Sequence, residues 1–115
     1  MHKAIYEKLQ EVARAKKLIA YSELNEELKL GLDFDKPEDR GKIGEWLDEI
    51  LECEAESGRP MLSAVAVHKE QDGTYGDPGE GFYQLARDRD IFQGDNKYIF
   101  WVSELNRVYN YWSSH

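Results

Sequence analysis

The side chains in this chain that can do chemistry are few and widely separated. There is one cysteine, Cys53, and there are three histidines, His2, His68 and His115. At helical spacing Cys53 falls at the edge of an apolar stripe (Ile43, Trp46, Ile50), with Glu52, Glu54 and Glu56 beside it. Carboxylates raise a thiol pKa and oppose thiolate chemistry, so a half-buried structural cysteine is expected. Two of the histidines sit at the termini, and none has a partner at the i, i+4 spacing of a helical metal pair. A structural zinc site draws on several Cys or His ligands, and this chain scatters its four from end to end. Asp33, Asp35 and Pro37 begin the alternation of a calcium loop. Glu38 then stands where that loop requires Gly, and Gly44 where it requires Glu.

Phosphate-binding and nucleophilic signatures are also missing. Gly76, Gly79 and Gly81 do not make a G-x-G-x-x-G, and no Gly-Lys is followed by Ser or Thr. Ser63 lies within an apolar run without a histidine at motif spacing. The expectation is therefore no catalytic residue, no metal and no cofactor. Carboxylates are the one chemical group with a pattern: Glu45, Asp48, Glu49, Glu52 and Glu56 share one side of a helix.

The elements that would position these groups follow from hydrophobic periodicity. Residues 3–16 place Ile5, Leu9, Val12 and Ala13 on one helical face. After the apolar link Leu18-Ile19-Ala20, Ser22 is the expected N-cap of a second helix, which carries Leu24 and Leu28 and stops at Gly31. Asp35 and Glu38 have the spacing of a capping box leading to a helix that is clearest from Lys42 to Glu56. Its stripe is Ile43, Trp46, Leu47, Ile50 and Leu51. The β-branched run Met61 to Val67 reads as a buried strand. Gln71 to Gly81 is a glycine-rich loop, expected to be the most mobile internal segment and a contact loop. Phe82 to Arg87 favours a short helix. Asp95 is expected to cap a last helix to about Trp112, with Tyr98, Trp101, Val102, Leu105, Val108, Tyr109 and Trp112 on one broad face.

The 115 residues suit one domain, 1–115, and 41% hydrophobic residues is enough to build a core. That core is expected to join Ile5, Leu9, Val12, Trp46, Leu47, Ile50, Val65, Leu105 and Trp112. No apolar run reaches the ~20 residues of a membrane span, and Met1 to Glu7 does not read as a signal peptide. With a lone cysteine, the expectation is a cytoplasmic protein. A net charge of −8, concentrated before residue 57, repels phosphate backbones and anionic membranes.

The fold class expected is α+β: a small winged-helix-like domain, mostly helical, with a short β element and a C-terminal helix at about 95–112. Three segments sharpen this: Lys17-Leu18-Ile19-Ala20-Tyr21-Ser22-Glu23-Leu24, Arg40-Gly41-Lys42-Ile43-Gly44-Glu45-Trp46-Leu47, and Arg59-Pro60-Met61-Leu62-Ser63-Ala64-Val65-Ala66-Val67. Together they resemble the winged helix-turn-helix of the DNA alkyltransferase and alkyltransferase-like family, over roughly residues 17–75. That resemblance implies a Tyr-led helix, an Arg-containing turn into a recognition helix, and a Pro-led strand. Where the family carries Pro-Cys-His-Arg this chain has Pro60-Met61-Leu62-Ser63, so alkyl transfer is not implied. The whole chain, with Pro78-Gly79-Glu80-Gly81-Phe82-Tyr83 and Phe100-Trp101 before Tyr109-Asn110-Tyr111-Trp112, also resembles a family of small bacterial proteins of unassigned function. That likeness implies a fold and no activity.

Three functional readings follow. The first is a non-enzymatic interaction or regulatory module that presents Glu45, Asp48, Glu49, Glu52 and Glu56 to a basic protein partner. The second is a winged-helix nucleic-acid-binding protein using Lys36, Arg40 and Lys42, although five carboxylates on its recognition helix make duplex DNA an unfavourable partner. The third is a small enzyme with its site around the glycine-rich loop, His68 and Tyr75.

Overall fold

The computed structural model describes residues 1–115. Helix α1 (Lys3–Arg14) turns Ile5, Leu9, Val12 and Ala13 inward. It begins where the His2 ring nitrogen Nδ1 accepts the Ile5 N–H at 3.3 Å, which satisfies one of the free first-turn amides. It ends before Lys16, whose φ of 54° lies in the left-handed region and cannot extend a helix. Strand β1 (Ile19–Ala20) runs directly into α2 (Tyr21–Glu27).

Ser22 is not the cap of α2. The helix begins at Tyr21, so the N-cap is Ala20, two residues before Ser22, and it has no side-chain acceptor. Glu23 does the work instead, its carboxylate accepting the Ala20 N–H at 2.8 Å. The helix also stops before Gly31, at a turn where Lys29 has φ 53°. Asn25 then clasps the following loop, donating to the Leu32 carbonyl at 2.8 Å and accepting the Leu32 N–H at 3.0 Å.

Helix α3 (Pro37–Glu56) starts earlier than its apolar stripe. Pro37 occupies the first turn, where a missing N–H costs nothing. The Asp35–Glu38 capping box does not form; Lys36 is the N-cap and makes no side-chain cap bond. Ile43, Leu47, Ile50 and Leu51 are buried as the spacing requires. Trp46 is only half-buried, lying against His2 with ring centroids 4.7 Å apart.

The run Met61 to Val67 is buried throughout, but it is not one strand. Leu62–Val65 form a 3-10 turn, and only Ala66–Val67 (β2) are extended. A wholly apolar run has no period to distinguish strand from tight turn. β2 pairs with β1 in parallel, in the register Ile19↔Ala66 and Ala20↔Val67. The glycine-rich segment that follows folds back as a hairpin. Glu70 N–H donates to the Thr74 carbonyl at 2.8 Å, Gly76 N–H to His68 at 2.7 Å and His68 N–H to Asp77 at 3.1 Å. Gly73 turns it with φ 87°.

Helix α4 (Glu80–Asp88) buries Phe82, Tyr83 and Ala86. Helix α5 (Lys97–Trp112) is capped by Asn96, which accepts the Ile99 N–H at 3.1 Å, and not by Asp95. Trp101, Val108 and Trp112 of α5 are buried, Leu105 is half-buried, and Tyr98 is 68% exposed. The fold is α+β: five helices around a two-stranded parallel sheet, with a radius of gyration of 13.3 Å, close to the ~13 Å of a folded domain this long. The 3-10 turn sits at its centre, in contact with α1, α3 and α5. No helix is long and apolar enough to cross a membrane.

Candidate functional site

The parallel register places the two residues that follow the strands beside each other. Tyr21 leaves β1 and His68 leaves β2, and their rings meet edge to face at 4.8 Å. They form one wall of a cavity of about 400 Å³. Its apolar floor comes from Ile43, Leu47 and Leu51 of α3 and Phe82 of α4, while Phe34 approaches from the loop before α3. Arg40 holds that loop, donating to the Phe34 carbonyl at 2.7 Å.

Glycine allows the remaining walls to close in. A Cβ at Gly79 would stand 3.3 Å from the Tyr21 hydroxyl and 3.4 Å from His68 Nε2. The Gly79 N–H donates to that same hydroxyl at 2.8 Å, an approach that a side chain would crowd. A Cβ at Gly81 would lie 3.4 Å from Asp48 Oδ1, so the first turn of α4 rests close to α3.

Among the polar groups that line this space, Tyr21, Asp48, Ser63 and His68 come from four different segments. Ser63 is 4% exposed, and no group of the chain hydrogen-bonds its hydroxyl. Burial, together with the charges of Asp77 and Asp48, pushes the Tyr21 phenol up to about 12 against the Gly79 hydrogen bond. Partial burial and the neighbouring Glu52 and Glu45 raise the Asp48 carboxyl above its ordinary value. Tyr21 thus stays a neutral phenol at physiological pH, and Asp48 stands in a local negative field.

The acidic side of α3 divides. Glu52 pairs with Arg89 of α4, and Glu49 lies 3.3 Å from the N-terminal ammonium. Glu45 and Glu56 are exposed without an ion pair, and Asp48 lines the cavity. Of the basic residues, Lys36 and Lys42 are exposed and Arg40 is engaged on Phe34. His68 and Tyr75 do not converge. His68 faces the cavity, whereas the Tyr75 hydroxyl donates to Glu23 at 2.8 Å beside a separate depression. No three His, Cys, Asp or Glu side chains gather as metal ligands.

Tyr21, Ser63 and the cavity role of Asp48 are not visible in local spacing. Their one signal is the pair Gly79 and Gly81 at the start of a helix, a composition that marks close backbone approach. A further carboxylate of α3, Glu54, is fully buried. It accepts from Arg59 Nε at 3.1 and 3.0 Å, from Arg59 Nη2 at 2.9 Å and from the Tyr6 hydroxyl at 2.7 Å. Comparison with protein-family models, curated proteins and solved structures returned no match to this chain.

Proposed function

We propose that the protein is a non-enzymatic interaction module that engages a basic protein partner through the exposed acidic side of α3. The observation that supports this is that Glu45, Asp48 and Glu56 lie exposed on one side of α3 without an ion pair, so a cation arriving there meets negative charge that no group of the chain offsets. Complementary charge of this kind speeds encounter and selects partners more than it adds affinity. The test compares capture from cell lysate by the parent and by Glu45→Lys/Asp48→Lys/Glu49→Lys. Basic proteins should be held by the parent, released by moderate salt and absent from the variant. An unchanged captured set overturns the reading.

A second reading has one observation in its favour. The order α1, β1, α2, α3, 3-10 turn, β2, hairpin is compatible with a winged helix-turn-helix, in which residues 68–77 would serve as the wing. On this reading Lys36, Arg40 and Lys42 contact phosphates, and the carboxylates of α3 oppose them. Titration of generic duplex DNA at physiological salt decides it. Micromolar binding abolished by Arg40→Ala would select this function over the first.

A further inference from the structure

The cavity carries four charged groups, of which two are ion-paired within the chain and a third is hydrogen-bonded to a neutral carbonyl. Arg40 donates to the Phe34 carbonyl at 2.7 Å, Lys69 lies 3.5 Å from Glu23, and Glu80 lies 2.9 Å from Lys97. The fourth, Asp48, has no ion pair or hydrogen bond in the chain, and Glu45 is its exposed neighbour one turn away. Arg40 keeps its positive charge, but it lies eight residues, about 12 Å along α3, from Asp48. The free charge at the Asp48 end of the cavity is therefore a carboxylate, beside an apolar floor and a Ser63 hydroxyl with no hydrogen bond in the chain.

We infer that the cavity is the anchor pocket for an arginine side chain of the partner, its methylenes on Ile43, Leu47, Leu51 and Phe82 and its guanidinium on Asp48. This deepens the acidic-side reading and rests on it. Arginine combines a stem that gains from apolar burial with a planar head that meets a carboxylate through two hydrogen bonds. The Tyr21 and His68 rings line the same cavity, and aromatic rings favour a planar guanidinium over an ammonium. About 400 Å³ exceeds one side chain, leaving space for the residues that flank the arginine. Ser63 then has a backbone group of the peptide within its surroundings to bond.

The probe is a blocked pentapeptide with a central arginine between leucines and terminal glycines, followed by amide NMR of the labelled protein up to millimolar peptide. Shifts should concentrate at Gly44, Asp48 and Gly81. The same peptide with citrulline, which keeps the shape and loses the charge, should bind at least about tenfold more weakly. Asp48→Asn should cause a loss of similar size. Gly44→Leu should abolish binding without harming the fold: a Cβ there meets nothing within 4 Å, and leucine suits a helix better than glycine.

Equal binding of the citrulline peptide, no binding of the arginine peptide, or undiminished binding by Gly44→Leu each overturns the pocket. The two readings fail differently. If the arginine peptide binds, ignores Asp48→Asn and Gly44→Leu, but is weakened by Glu45→Gln/Glu56→Gln, the acidic side stands and the pocket falls. If an acidic peptide of the same length binds in preference, both fall.

Discussion

Glu54 and Asp48 lie under two turns apart on α3 and meet opposite fates. Glu54 is 0% exposed and fully partnered, its oxygens held by the Arg59 guanidinium and the Tyr6 hydroxyl. Asp48 sits at a cavity, with like charges for company and no hydrogen bond in the chain. A buried charge is tolerated only with complete partners, because desolvation costs several kcal/mol per ion. Glu54 therefore holds α3 to α1 and to the turn at Arg59, and its chemistry is used up in doing so. Asp48 contributes nothing of that kind to the fold and keeps its charge available to something outside it.

Breaking the closed side should have the largest effect. Glu54→Ala strands Arg59 and Tyr6, and unfolding in urea should show a loss of about 3–5 kcal/mol. Glu104 is the second closed carboxylate: 3% exposed, it accepts the Met61 N–H at 2.8 Å and bonds Arg107 at 2.6 Å. Glu104→Ala should cost about 2 kcal/mol by the same measurement, because a buried amide loses its acceptor.

The phenols sharpen the contrast at alkaline pH. Burial, the bond to Glu54 and the Glu54 charge push Tyr6 up to about 12, and burial pushes Tyr21 to about 12 as well. Because the folded values exceed the ordinary phenol value near 10, this stability is fully present below pH 10. It is lost as pH rises toward 12. Tyrosinate absorbance should show these two ionising only as circular dichroism reports unfolding, and Glu54→Gln should bring Tyr6 down while leaving Tyr21 in place.

The open side should give the smallest effects. Gly44→Ala should stabilise by about 1 kcal/mol from helix propensity alone. Asp48→Asn should change stability by no more than roughly 0.5 kcal/mol. Its sign is favourable: a raised folded pKa means that stability present at acid pH is lost on ionisation, and Asn has no such loss. The parent and this variant should therefore converge in acid and differ slightly, in favour of Asn, at neutral pH. A large destabilisation by Asp48→Asn would place Asp48 with Glu54 among the structural carboxylates.

Helices were legible wherever apolar residues recur at helical spacing. Ile5, Leu9 and Val12, Ile43, Leu47 and Ile50, and Trp101 and Val108 all turn inward as expected. Caps were less legible, since Ser22 lies two residues and Asp95 one residue from the true cap, and a shift that small reassigns the hydrogen bond. Met61 to Val67 was uninformative because burial on every side erases periodicity. Among site residues, the acidic side was visible as a pattern, but its division was not. Which of Glu49, Glu52 and Asp48 stays free depends on where Arg89, the N-terminus and Gly81 arrive from distant parts of the chain. The cavity likewise joins Tyr21, Ser63 and Gly79, which no local window contains together.

The two-residue pairing of β1 with β2 has a consequence for occupancy. The pairing of Ile19–Ala20 with Ala66–Val67 sets Tyr21 beside His68, with the Gly79 N–H on the Tyr21 hydroxyl as a further tie, and parallel contacts so distant in sequence are slow to form. Local opening of that pair would separate the wall, whereas α1, α3 and α5 contact one another through the 3-10 turn and not chiefly through the strands. The expected consequence is that the fraction of molecules able to receive a ligand follows this opening and not global unfolding, since apparent affinity scales with the competent fraction. Amide exchange at Val67 and His68, faster than at Ile50, would measure it directly.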